Sequence, residues 1–152
     1  MFVVKVPAIN GLGKTKGCEK AGNSIVAALK EIYSNEREIP SDVKLLDLEE
    51  IHLDNFNLEI TNKLIYENAL EIFSEKQKTI FLGGDHSISY SLCRAFLEHC
   101  RTNQKEPCLI VFDAHPDCMK PDKDFPSHEE WLSALVEKGF PSENIFLVGA
   151  RN

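Results

Sequence analysis

The sequence predicts an α/β fold in which helices cover both faces of a mainly parallel sheet. Short, nearly continuous apolar segments of strand length alternate with longer segments of helical periodicity along the whole sequence. This alternation is typical of parallel sheets, because each crossover between parallel strands needs a connection long enough to hold a helix. Hydrophobic residues make up 43% of the 152 residues and charged residues 27%, as in ordinary globular domains.

Five segments are predicted to be strands. Each is short, is rich in β-branched or other apolar residues, and is flanked by polar or glycine-containing turns. Because most of them lack polar alternation, we expect them to be buried on both faces of a single sheet. In chain order they are residues 2–6 (FVVKV), 43–48 (VKLLDL), 79–84 (TIFLGG), 108–112 (CLIVF) and 145–149 (IFLVG).

Four segments are predicted to be helices, because their apolar residues recur at helical spacing or a capping signal opens them. The last of them begins with a capping box formed by Ser127 and Glu130 and stops at Gly139. The predicted bounds are Asn23 or Ser24 to Tyr33, with Ile25, Ala28, Leu29 and Ile32 on the apolar face, then residues 58–76, 87–100 and Ser127 to Lys138.

The charge and the cysteines restrict the possible partners and the compartment. A formal net charge of −7 with no basic block argues against nucleic acid or an anionic membrane as a partner. No apolar run reaches the roughly 18 residues of a transmembrane helix, and the N-terminal MFVVKVP lacks the features of a signal peptide. The five cysteines form no CxxC pair, so we expect free thiols and a cytoplasmic protein.

Polar, chemically capable residues follow two of the predicted strands. The sequence GGDHS (83–87) ends the third strand, and DAHPD (113–117) ends the fourth. Ligands of parallel sheets bind at the carboxyl ends of the strands, and adjacent strands would place these two loops side by side. Taken alone, GGDHS could equally be a turn in which Asp85 caps the following helix.

The spacing within DAHPD favours a metal site. In extended backbone, residues at i, i+2 and i+4 point the same way, so Asp113, His115 and Asp117 can face one point. Two carboxylates facing one point are costly without a cation, and His86 could add a fourth ligand. Such carboxylate and imidazole sets suit Mn²⁺, with Zn²⁺ or Fe²⁺ as alternatives.

GGDHS combined with FDAHPD (112–117) resembles the motifs of the ureohydrolases, the family of arginases, agmatinases and formiminoglutamases. The opening VPAINGLGKTKGCEKAGNSIVAAL and the closing IFLVGARN also resemble this family, so the similarity spans the whole sequence. The resemblance implies a three-layer α/β/α sandwich and a site with two Mn²⁺ ions. A hydroxide bridging the two ions would attack the carbon of a guanidino or formimino substrate and cleave a C–N bond.

The resemblance also implies individual roles. By motif, His86 and Asp117 would bind one manganese ion, His115 the other, and Asp113 would bridge both. His128 corresponds to a family histidine thought to shuttle protons, whereas its position alone would also fit an exposed residue in the first turn of a helix.

The sequence departs from the family in its later motifs. The SxDxD motif that completes both metal shells is absent, so four of six protein ligands are present, and CMKPDKDFPS (118–127) does not match the arginase residues that bind the amino-acid end of the substrate. The sequence stops soon after a buried-type strand. We therefore expect residues 1–152 to form the N-terminal half of one domain, incomplete at the C-terminus, which forms a homo-oligomer or pairs with a C-terminal half.

Two other functions stay open at this stage. The chain could be a non-catalytic domain with a partial metal site that acts in assembly or regulation. It could also resemble the single-zinc deacetylase type of amidohydrolase, which shares the architecture, although His86 in GGDHS favours the two-metal type.

Overall fold

A computed structural model describes residues 2–10, 14–40, 42, 44, 46–54, 56–76, 78–121 and 125–151. Strands and helices alternate along these residues, as the sequence predicts. The strands are β1 Phe2–Val6, β2 Asp47–Glu50, β3 Thr79–Gly83, β4 Leu109–Phe112 and β5 Ile145–Val148, and the helices are α1 Ala21–Leu29, α2 Leu58–Glu75, α3 Ile88–Thr102 and α4 Trp131–Glu137. Of the predicted second strand, residues 43 and 45 lie outside the described residues.

The first sheet has the order β2-β1-β3, and both pairings are parallel. Side chains alternate along β1, so Phe2, Val4 and Val6 face the core beneath α2 and α3. Helix α1 lies on the opposite face, where Asn23 accepts a hydrogen bond from the Lys5 ammonium group at 2.7 Å. Both faces of this sheet are therefore covered, which confirms three layers here.

The second sheet pairs β4 with β5 in parallel. One face packs on α3 and α4, where the buried residues are Tyr90, Leu97, Val111, Trp131, Leu132, Ala134, Leu135 and Phe140. The other face carries apolar side chains that remain exposed to between 45% and 80%, namely Ile110, Phe112, Phe146 and Val148. Within the described part of the chain, this face has no covering layer.

The predicted α/β fold with mainly parallel strands is confirmed, but the strands of the described residues form two sheets, because β3 and β4 do not pair with each other. The connection through α3 carries the chain to a separate two-stranded sheet instead. Helix α3 packs against both α2 and α4. The loops after β3 and β4 still converge, as the contacts of His86 with Asp113 and Asp117 show.

Two predicted helix starts need correction. Helix α1 begins at Ala21, because a 3₁₀ turn at Cys18–Lys20 leads directly into it, and it ends at Leu29. Gly22 and Val26 are its buried residues, so the apolar face predicted around Ile25 and Ile32 is wrong.

The predicted capping box stabilises a turn before α4 and does not cap the helix itself. The Ser127 amide donates to Glu130 Oε2 at 2.9 Å, but Ser127 Oγ accepts from the Glu129 amide, and α4 begins only at Trp131. The predicted stop is confirmed, since Gly139 has φ +92° and its amide donates to the Val136 carbonyl oxygen at 2.8 Å.

The helices give no sign of a membrane span. None of those in the described ranges is both long and apolar enough to cross a bilayer.

Candidate metal centre

The GGDHS turn is held firmly between β1 and α3. A Cβ atom on Gly84 would lie 1.8 Å from the Ala8 carbonyl oxygen, so only glycine allows the two backbones to approach this closely. The Asp85 side chain is buried and accepts hydrogen bonds from the Asn10 amide at 2.8 Å and the Thr15 hydroxyl at 2.7 Å. Its other oxygen accepts from the Ser87 amide and hydroxyl, so Asp85 does cap this turn.

The DAHPD segment leaves β4 in a different conformation from the predicted one. Asp113 Oδ1 accepts from the His115 amide at 2.9 Å, which turns the chain at once after the strand. Asp117 has a left-handed backbone with φ +48°, and its carbonyl oxygen accepts from the Leu132 amide at 3.2 Å. The prediction that three side chains alternate along extended backbone is therefore wrong beyond Asp113.

Three of the four predicted ligands nevertheless converge. His86 Nδ1 lies 3.1 Å from Asp113 Oδ2 and 2.8 Å from Asp117 Oδ2. One ligand atom from each residue lies within 4.8 Å of the others, and all three side chains are partly buried. One N–H cannot fully satisfy two carboxylates, so the negative charge that remains suits a cation.

His115 stands apart from this group. Its side chain is 72% exposed, and its Nδ1 lies 3.5 Å from Asp113 Oδ1, the oxygen that faces away from His86. The two oxygens of Asp113 therefore face two different histidines. The His115 amide is the main cause of a lowered Asp113 pKa, with a further contribution from the nearby His86, so the carboxylate is ionised near neutral pH.

A cavity of about 440 Å³ opens beside these residues. His128 lines it together with His115, Pro116, Asp117, Cys118, Met119 and Glu129. His128 Nε2 lies 3.7 Å from Glu129 Oε1, whereas its Nδ1 is buried and makes no hydrogen bond within the described residues. The structure thus brings His128 into the cavity next to Asp117, in the turn before α4.

Sequence reasoning missed two residues that contact the predicted ligands or hold their loops. Trp131 donates its indole N–H to Asp117 Oδ2 at 2.8 Å, and its ring lies 4.7 Å from the His86 ring between centroids. Asn10 donates its side-chain amide to the Phe125 and Pro126 carbonyl oxygens. A tryptophan at the start of a helix was the available signal, because a buried indole N–H needs an acceptor.

The sequence profile described as "Arginase family" matches residues 1–152. A formimidoylglutamase from Fusobacterium nucleatum is 29% identical over 98 residues, which are 62% of this chain and 31% of that protein. Among solved structures, a hypothetical agmatinase from Burkholderia thailandensis matches with a TM-score of 0.79 and 26% identity over 99% of this chain and 49% of its own.

A formiminoglutamase from Trypanosoma cruzi, solved with Mn²⁺, has the same fold with a TM-score of 0.78 and 18% identity. It is matched over 99% of this chain and 52% of its own length. The chain thus spans about half the length of these solved structures, and the alignment with the bacterial formimidoylglutamase covers about a third of that protein.

Proposed function

This chain belongs to the arginase family, and we propose that it is the N-terminal half of a metal-dependent hydrolase that cleaves a C–N bond of a small guanidino or formimino compound. The convergence of His86, Asp113 and Asp117 beside a cavity is the observation that carries this proposal. The formimidoylglutamase relatives favour a formimino substrate.

The donor set fits a hard divalent cation. His86, Asp113, His115 and Asp117 would hold Mn²⁺, and two ions per complete site follow if both oxygens of Asp113 are used. The Mn²⁺ reported for the Trypanosoma cruzi formiminoglutamase supports this choice of metal. When bound, such ions acidify water and stabilise negative charge that develops on the substrate.

The remaining chemistry belongs to the residues of the chain. The cavity of about 440 Å³ is large enough for a small substrate. His128 lines this cavity and its Nε2 lies 3.7 Å from Glu129 Oε1, so we assign it the transfer of a proton between the reacting centre and Glu129 or solvent.

The site needs further ligands, which we assign to a second polypeptide segment. The bare apolar face of β4 and β5 supports this, because parallel sheets are normally covered on both faces. That segment is either a C-terminal half of the same domain or a second copy of this chain. The cytoplasmic location expected from the sequence stays a prediction.

The test begins with native mass spectrometry of the purified chain in Mn²⁺. We expect two manganese ions on a species heavier than the 17.2 kDa chain. The same sample, alone and together with the polypeptide encoded immediately downstream, is then assayed for release of urea or formamide from arginine, agmatine and N-formiminoglutamate. Full activity of His115→Ala in the active combination would contradict the proposed ligand set.

A non-catalytic role in assembly or regulation is the second candidate. The exposure of His115 and the open side of the ligand group favour it. One weakly bound ion, with no turnover in any combination, would support this candidate over the hydrolase.

A further inference from the structure

Trp131 makes two contacts with the candidate metal centre. Its indole N–H donates to Asp117 Oδ2, and its ring packs against the imidazole of His86 with an angle of 46° between the planes. Both neighbours are predicted metal ligands, and they come from different loops. Trp131, the first residue of α4, therefore contacts both loops.

The indole is fixed by its surroundings. Trp131 is 1% exposed and packs in the core formed by α3, β4 and α4, with Leu135 and Phe140 among its buried neighbours. It also opens α4, where the next residue, Leu132, donates its amide to the carbonyl oxygen of Asp117. The start of α4 thus binds Asp117 through the backbone and through the carboxylate.

These contacts hold Asp117 in a left-handed backbone conformation, which is unfavourable for a residue other than glycine. An indole N–H is only a donor, so it fixes the carboxylate without competing as a metal ligand. His86 Nδ1 lies 2.8 Å from the same Oδ2, so the indole and the imidazole meet at one carboxylate oxygen. A hydrogen bond of this kind to a ligand carboxylate typically orients it for the metal.

We propose that Trp131 is a positioning residue of the metal centre, which sets the orientation of Asp117 through its N–H and of His86 through its ring. This inference rests on the metal site of the proposed function and adds to it a residue outside the motifs of the sequence. Trp131 is also the single tryptophan of the chain, so its signals report on this one place.

The contact itself is tested without metal. A ¹⁵N–¹H spectrum of the chain has one tryptophan indole peak, and we expect Asp117→Asn to shift it clearly, because the acceptor changes from a carboxylate to an amide. Exposed Asp47→Asn, which lies in β2, is the matched control and leaves the peak in place. An unmoved peak in Asp117→Asn overturns the inference, whatever the protein does with metal.

The effect on the metal is tested by calorimetric titration with Mn²⁺. We expect Trp131→Phe, which keeps a ring and removes the N–H, to weaken binding 10- to 100-fold, about 1.4 to 2.8 kcal/mol. Phe140→Leu is the matched control, since it disturbs the same core without touching a ligand, and it leaves the affinity within about twofold. Circular dichroism confirms that both variants fold.

The outcomes separate the two proposals. Equal Mn²⁺ affinity in wild type and Trp131→Phe, or equal losses in Trp131→Phe and Phe140→Leu, overturns the role of Trp131 and leaves the hydrolase proposal intact. A wild-type chain that binds no Mn²⁺, alone or with its second half, overturns the metal site and the inference with it. Mn²⁺ that quenches Trp131 fluorescence with the same midpoint concentration as the calorimetric titration supports both the metal site and the role of Trp131.

Discussion

The two loops that carry the predicted ligands are built in opposite ways. The turn at 83–87 is tied to the segment after β1 by backbone contact at Gly84 and by the buried carboxylate of Asp85. The segment at 113–119 is fixed near its ends and leaves His115 largely exposed between them. The first loop thus presents His86 from a turn held by buried contacts, whereas the second presents His115 on a side chain that faces solvent.

The two loops would therefore contribute differently to the binding of a metal ion. His86 sits in place before any ion arrives, so its contribution carries little entropic cost. The His115 side chain is 72% exposed, so part of the interaction energy of an ion that it binds would be used to fix this side chain.

Removal of the shared carboxylate is the most severe change to the second loop. We expect Asp113→Ala to reduce Mn²⁺ affinity by about 1,000-fold or more, because Asp113 faces both His86 and His115. Loss of a metal ligand costs more affinity than loss of a residue that only hydrogen-bonds to a ligand. Calorimetric titration measures the loss. The exposed Glu49→Ala serves as control, and a loss below tenfold in Asp113→Ala would mean that the carboxylate is not a ligand.

A methyl group at residue 84 would disrupt the close contact between the turn at 83–87 and the segment after β1. We expect Gly84→Ala to destabilise the fold by about 3 kcal/mol, because the new Cβ would collide with the Ala8 carbonyl oxygen at 1.8 Å and the backbones must separate. Urea unfolding followed by circular dichroism gives the value. Gly22→Ala, whose Cβ would lie 3.0 Å from Lys5 Cγ and 3.4 Å from the Leu82 carbonyl oxygen, is expected to cost much less because these contacts are far longer; equal costs would refute the steric argument.

Truncation of His115 tests whether its side chain holds a separate metal ion. We expect His115→Ala to remove the second manganese ion and to keep the first, because its ring lies outside the group formed by His86, Asp113 and Asp117. Native mass spectrometry counts the ions per chain on the assembled protein. Loss of both ions together would place His115 at the centre of the site and not at its edge.

Replacement of Cys118 has the smallest expected effect. Burial, with the nearby Asp117 carboxylate, raises the pKa of the Cys118 thiol, so the group stays a neutral thiol near pH 7 and is a poor metal ligand. Its Sγ–H donates to the Pro116 carbonyl oxygen at 3.0 Å, a bond that a serine hydroxyl can also make. Cys118→Ser therefore keeps Mn²⁺ affinity within about twofold in titration, and a tenfold change would show that sulfur tunes the site.

Much of the fold follows from the sequence because periodicity is a local property. Four of the strands and the four helices are where the apolar patterns predict them, apart from their ends, whereas β2 at Asp47–Glu50 overlaps the predicted second strand, 43–48, only at residues 47 and 48. The start of α1 was wrong because a 3₁₀ turn at Cys18–Lys20 continues smoothly into the helix, and no capping residue marks such a start. The separation of β3 from β4 depends on the path of α3, which no local pattern records.

The sequence predicted which residues come together in the candidate site better than it predicted how they are arranged. His86 and Asp113 lie together after the ends of β3 and β4, as predicted, although these two strands are not the adjacent pair on which that prediction rested. The position of His115 was not predictable from spacing, because the Asp113 side chain accepts from the His115 amide and turns the chain out of the extended conformation. The metal-binding roles of these residues stay predictions.

The bare face formed by Ile110, Phe112, Phe146 and Val148 also governs how the isolated chain behaves in a test tube. Water solvates such a surface poorly, and the net charge of −7 is the main force that keeps two molecules apart. High salt screens that charge, and warming strengthens apolar association. Cold, dilute, low-salt buffer is therefore the condition in which the purified chain stays dispersed longest.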